Sequence, residues 1–199
     1  MKKIAFVFAA LLALSTTATA QKTKLIIDAA HGGADAGARS TNGDKESDLC
    51  LQFAKALETE AAKKNIEVVM VRTTDEYKTL NSRNTFKTEA GVKTYFISFH
   101  MNAENTKTQR GATIQYNNKA KDAATSKALA EKLMAGFNLI NDIGTRITDD
   151  SKALIVKNSE IPAVIVEPGY ISNADDLRKM KDQGIQQEVA MLIVKAVTE

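Results

Sequence analysis

The stretch YFISFHMNA, residues 95–103, carries five mostly apolar residues straight into a histidine, a methionine and an asparagine. The apolar part is of the kind that fills a buried strand. Taken alone, His100 reads as a ring hydrogen-bonded at a strand's end. Working outward, the same kind of run recurs along the chain, separated by longer helical patterns. LIIDAA (25–30), IEVVMV (66–71), TYFISF (94–99), ATIQYN (112–117), ALIV (153–156) and AVIVE (163–167) are expected strands. Between them, Ser47 to Lys63 places Leu49, Phe53, Ala56 and Leu57 on one helical face, and roughly Tyr77 to Ala90 reads as helical. A helix is expected over about Lys121 to Phe137 with Ala124, Leu129, Leu133 and Met134 facing inward, and Ile185, Val189, Leu192, Ile193, Ala196 and Val197 mark a closing amphipathic helix. This alternation implies an α/β domain: a largely parallel sheet of about six strands with helices on both faces.

The first twenty residues stand outside that pattern. MKK is a basic start, Ile4 to Leu14 an apolar run too short for a stable membrane helix, and Ala18-Thr19-Ala20 a small-x-small cleavage site. Residues 1–20 are therefore expected to be a signal peptide and 21–199 a single domain of an exported protein, in the periplasm or cell envelope. The only cysteine is Cys50, so no lipid-acceptor cysteine follows the apolar run and no internal disulfide is possible. Cys50 falls on the apolar side of its helix and is expected to be buried and inert. Cleavage removes Lys2 and Lys3, leaving 25 basic against 24 acidic side chains, so the nominal basicity says nothing of nucleic acid. Trp is absent and no basic patch is interleaved with aromatics. No later run is apolar enough to span a membrane, and a monomer is expected.

In open α/β sheets the functional crevice lies beyond the carboxyl ends of the strands. The first strand runs into DAAHGG and delivers His31; the third delivers His100; the last, VIVEPGY, delivers Glu167. Both histidines of the chain thus follow core strands, and a carboxylate occupies a third strand end. Imidazole nitrogen and carboxylate oxygen together suit zinc, whose catalytic sites use three protein ligands and keep one position open. GDKESD (43–48) offers Glu46 as a third ligand, although an acidic residue in a first helical turn also simply complements the helix dipole. The 69-residue spacing of the histidines excludes a helical H-E-x-x-H site. Glu167 follows a run buried on both faces, where a carboxylate gains proton affinity and suits a general base.

DAAHGGADAGA (28–38), GDKESD (43–48), VRTTD (71–75), Leu80 with Arg83, SFHMNA (98–103), RGA (110–112) and PAVIVEPGYISN (162–173) resemble, in order and spacing, the zinc-dependent N-acetylmuramoyl-L-alanine amidases of the family-3 type. The resemblance covers essentially all of residues 21–199. It implies a three-layer αβα sandwich around a mixed, mostly parallel six-stranded sheet. It also implies hydrolysis of the amide between N-acetylmuramic acid and L-alanine in peptidoglycan, with one Zn2+ held by His31, Glu46 and His100 and with Glu167 catalytic. Asp28 and Asn102 are candidates for orienting the imidazoles, and Gly32 and Gly33 for turning the backbone beside the metal. Three departures stand out: Ala30 replaces a glycine before the first histidine, Lys87-Thr88 stands near a missing Ala-Asn pair, and the segment 111–146 is short. The short segment leads us to expect an open site. An inactive peptidoglycan-binding or regulatory module of the same fold, or a zinc hydrolase of another amide, are the alternatives.

Overall fold

The computed structural model describes residues 21–140 and 144–199; the expected signal peptide lies outside the described residues. The strands are β1 (Lys22–Ala29), β2 (Glu67–Met70), β3 (Val92–Phe99), β4 (Ala112–Gln115), β5 (Thr145–Thr148) and β6 (Ala163–Glu167). The helices are α1 (Glu46–Ala62), α2 (Leu80–Arg83), α3 (Ala123–Ile140), α4 (Leu154–Lys157), α5 (Ala174–Met180) and α6 (Gln183–Thr198). The sheet runs β2-β1-β3-β6-β4-β5. Every neighbouring pair is parallel except β4 with β6.

The period-2 alternation of strand side chains divides the core into two layers. On β1, β3 and β6, Leu25, Ile27, Ala29, Ile97, Phe99, Val164 and Val166 face one large cluster formed with α1, α3 and α6. Ile26, Phe96, Ala163 and Ile165, one residue out of phase, face a smaller cluster completed by Ile155 and Val156 of α4 and by Phe86. Helical material therefore covers both faces, as the alternation of elements implies. Within the large cluster Phe53 of α1 stacks on Phe99 with ring centroids 5.6 Å apart, and Cys50 is fully buried.

Several elements differ from their sequence expectation. ALIV at 153–156 is not a strand. It forms the single turn α4, opened by Ser151 Oγ accepting from the Ala153 N–H, because a short apolar run has no periodicity that separates a strand from a buried helical turn. The sixth strand is instead TRIT at 145–148, pairing only with β4 at the sheet's edge, where one apolar residue suffices. Only Leu80–Arg83 is helical within 77–90; Tyr77 and Leu80 remain exposed, so no apolar face drives a longer helix. α5 was not expected; its start is set by Asn173, whose side chain accepts from the Asp175 and Asp176 N–H groups. In α3, Leu129, Leu133 and Phe137 are buried and Ala124 is exposed. α3 packs on β4, β5, β6 and α6. No helix of the described residues is long and apolar enough to cross a membrane.

Candidate metal centre

The parallel register aligns the ends of three strands. Ala29 pairs with Phe99, and Phe99 with Val166. The residues just beyond are tied in the same way: the Ala30 N–H donates to Phe99 O at 3.2 Å, and the His100 N–H to Val166 O at 3.1 Å. His31, His100 and Glu167 therefore emerge side by side along one edge of the sheet. Glu46 joins them as the first residue of α1, its backbone N–H donating to Ala38 O at 2.9 Å.

Local backbone chemistry aims His31. Ala30 has no positive φ; the left-handed step falls on His31 itself, at φ 60°, a conformation that costs free energy for a residue with a Cβ and is concentrated at functional sites. Gly32 follows at φ 126°, where a Cβ would lie 2.2 Å from Glu76 O, so only glycine fits. The turn closes by reciprocal bonds between Gly32 and Asp35. Asp35 Oδ2 then lies 2.9 Å from His31 Nδ1. With Nδ1–H given to that carboxylate, Nε2 presents its lone pair to the site.

Three donor atoms converge. His31 Nε2 is 3.2 Å and His100 Nδ1 3.1 Å from the same Glu46 Oε1, and all three lie within 4.8 Å of one another. Ligand atoms about 2.0–2.2 Å from an ion at tetrahedral angles stand about 3.3–3.6 Å apart, so the donor set fits an ion of that size after small side-chain adjustments. Glu46 is held rigidly: Oε2 accepts from the Ala38 N–H at 2.8 Å and Oε1 from the Met101 N–H at 3.0 Å. Gly37 closes the back, since a Cβ there would come within 2.6 Å of Glu46 Oε2 and 2.7 Å of His31 Cδ2. The two imidazoles stay open to solvent, with 21% and 23% of their side chains accessible, whereas Glu46 keeps 6%.

The electrostatics follow from this packing. Burial works to raise the Glu46 carboxyl, but the hydrogen bonds and charges of His100 and His31 outweigh it and hold the group well below the usual carboxylate range. Burial disfavours the charged form of His31, yet Glu46 and Asp35 together raise its proton affinity. Glu167 behaves oppositely to Glu46: desolvation pushes it up, only partly offset by a hydrogen bond from Gln115 and the nearby His100. Its Oε2 accepts from Asn102 Nδ2 at 3.1 Å.

The structure thus brings all four singled-out side chains to one sheet edge, three within ligand distance and the fourth on the adjoining strand. Of the two candidates for orienting the imidazoles, Asn102 holds Glu167 and Asp28 touches neither ring. Asp28 is fully buried and paired with Arg83, at 2.9 and 2.6 Å, and with Ser98 Oγ at 2.6 Å. The residue that orients His31 is Asp35. The signal was present, an acid four residues after a histidine across two glycines, but a glycine-rich turn gives no periodicity from which to infer its closure. Arg72 was also missed. Only 2% exposed, it donates to the carbonyls of Ala29, Ala30, Ser47 and Thr74, bracing the segments that carry His31 and Glu46.

The family model of N-acetylmuramoyl-L-alanine amidases matches residues 25–199. The chain belongs to the N-acetylmuramoyl-L-alanine amidase family. Among curated proteins, this amidase-family chain is 31% identical over 176 residues to the probable cell wall amidase LytH of Staphylococcus aureus, an alignment covering 87% of this chain and 57% of that one. The chain therefore spans little more than half the length of the curated relatives it matches. Among solved structures it superposes on the N-acetylmuramoyl-L-alanine amidase of Clostridium difficile 630 with a TM-score of 0.77 at 30% identity, covering 90% of this chain and 96% of that one. It also superposes on the catalytic domain of CwlV from Bacillus (Paenibacillus) polymyxa var. colistinus, with a TM-score of 0.75 at 27% identity and coverage of 89% and 96%. Membership accounts for the αβα architecture and for its mixed sheet.

Proposed function

We propose that the protein is a zinc-dependent peptidoglycan amidase of the cell envelope, cleaving the bond between N-acetylmuramic acid and L-alanine. The observation that carries this reading is the convergence of His31 Nε2, Glu46 Oε1 and His100 Nδ1 at one open sheet edge, with Glu167 on the next strand. Two imidazole nitrogens and one carboxylate oxygen form a donor set suited to zinc, and Glu46 remains ionised and able to ligate. Zinc bound there supplies Lewis acidity, acidifying water and polarising a carbonyl.

The chain's own residues supply the rest. Asp35 holds the His31 ring by Nδ1, and the Met101 and Ala38 N–H groups fix the Glu46 carboxylate. The Glu167 carboxylate accepts the proton of the attacking water, and the same oxygen returns it to the departing L-alanine nitrogen. Asn102 Nδ2 keeps that carboxylate oriented. Its raised proton affinity suits both transfers, because a group that ionises nearer neutrality takes and gives a proton with smaller penalties.

The test is digestion of purified sacculi with and without a chelator, followed by analysis of the new termini. New L-alanine amino groups, lost with chelator and restored by zinc, are expected. New reducing sugar ends would point to a glycosidase, and no new ends at all to an inactive binding or regulatory module.

A further inference from the structure

A cavity of about 310 Å3 lies between the Arg39–Thr41 segment and the Ala103–Lys107 loop and is also lined by Ser172. Each wall continues a chain segment that reaches the candidate metal centre. Arg39 follows Ala38, whose N–H binds Glu46, and Ala103 follows Asn102, which holds Glu167. We propose that this cavity is a carboxylate-binding subsite, with Arg39 and Lys107 receiving the first free carboxylate of the stem peptide beyond the scissile amide. This assignment rests on the amidase reading.

Among the described residues neither cation has an acidic partner. Arg39 Nη1 reaches only Gly43 O, at a long 3.4 Å, and Lys107 Nζ donates to the neutral Thr41 Oγ1 at 3.0 Å. The one carboxylate lining the cavity is turned into its own loop. Glu104 Oε1 accepts from the Thr108 and Gln109 N–H groups at 2.7 and 2.9 Å, Oε2 from the Thr106 N–H at 3.2 Å, and the Thr106 hydroxyl also donates to it. Its acceptor capacity is used locally, and backbone N–H donors, led by that of Gln109, lower its pKa to about 2. A ligand carboxylate therefore meets two cations whose present partners are neutral and which no carboxylate of the cavity engages.

Both walls are also preformed. Lys107 sits at φ 61°, a left-handed conformation that an ordinary side chain adopts only when its surroundings impose it. Here the Glu104 bonds impose it from within, Ser172 Oγ accepts the Glu104 N–H at 3.1 Å, and Asn173 Nδ2 donates to Lys107 O at 3.1 Å. Opposite, Ser40 Oγ accepts from the Asn42 and Asp44 N–H groups, and Arg39 bridges Lys45 across the turn. Fixed loop backbones lower the cost of bringing two cations together on one carboxylate.

The test compares two synthetic muropeptides identical but for the second stem residue, which carries either a free carboxylate or the corresponding carboxamide. The wild-type zinc protein is expected to favour the carboxylate about ten- to hundredfold in kcat/KM, less so at high salt. Arg39→Gln with Lys107→Gln should bring that ratio near unity while hydrolysis of the carboxamide stays within about threefold; general damage would lower both rates together. Binding of the same peptides to Glu167→Gln, followed by calorimetry, should show the same preference without turnover. Equal hydrolysis and equal binding of the two peptides, or a preference surviving the double substitution, would overturn the proposal. Preferential binding with no hydrolysis of either peptide by wild type would support the subsite and sink the amidase reading instead.

Discussion

Replacing Arg72 by methionine removes a guanidinium that hydrogen-bonds to none of His31, Glu46, His100 or Glu167, yet the structure makes it one of the most consequential changes in the chain. Arg72 is 2% exposed and gives four hydrogen bonds, to Ala29 O at 2.8 Å, Ala30 O at 2.9 Å, Ser47 O at 2.7 Å and Thr74 O at 2.9 Å. Burial lowers its proton affinity, but arginine stays charged, so methionine also relieves a desolvation cost. Water can reach the partly buried Thr74 end. The three carbonyls at the buried end lose this donor at about 1 kcal/mol each at the low end of the range, for a net loss of about 3 kcal/mol. For a domain of this size that corresponds to about 6–12 °C in Tm. Arg72→Lys keeps the charge but reaches fewer acceptors and should lose about half as much. The assay is thermal and urea unfolding of the zinc-free protein by circular dichroism, so that metal linkage does not mask the change. A second readout is zinc affinity, expected to weaken because Ala30 adjoins His31 and Ser47 adjoins Glu46. An Arg72→Met protein within about 1 kcal/mol of wild type, with unchanged zinc affinity, would refute the reasoning.

Arg83→Met leaves Asp28 fully buried without its bidentate partner and should cost about 3–5 kcal/mol, measured by urea unfolding; Asp28→Asn with Arg83→Met together should recover part of it. Glu167→Gln should retain zinc by elemental analysis and lose at least about a hundredfold in kcat. Because burial raises Glu167 and the base works deprotonated, activity is present above its folded-state pKa and lost as pH falls through it. In the zinc-free protein the Glu167 carboxyl, followed by NMR, should therefore titrate above the ordinary glutamate value of about 4.3, and titration at or below that value would contradict the burial argument. Burial and the charge of Glu46 push the Cys50 thiol well up, so a thiol reagent should leave the native protein unlabelled and label one equivalent after denaturation.

The strand ends were legible because β1, β3 and β6 are buried on both faces and read as continuous apolar runs, with polar chemistry beginning where each run stops. That pattern alone places His31, His100 and Glu167 on a common edge. Glu46 was harder, since its position at a helix start has an ordinary electrostatic explanation; only the fold shows Met101 and Ala38 donating to its carboxylate. Edge and loop elements were misjudged for a shared reason: β5 and α4 are four residues each, too short for a period to declare itself, and α2 is stabilised by Arg83 reaching a buried acid rather than by an apolar face. Asp35 and Arg72 act through turn closure and through backbone carbonyls. The Arg72 bonds leave no pattern in the sequence, and the spacing of Asp35 from His31 does not by itself declare that the turn closes.

The most direct test of the metal centre is anomalous X-ray scattering at the zinc edge from crystals of the zinc-loaded protein. One peak is predicted between His31 Nε2, Glu46 Oε1 and His100 Nδ1, about 2.0–2.2 Å from each, with Asp35 outside ligand distance. No peak there, or a peak bound through Asp35 or Glu167 in place of Glu46, would contradict the account.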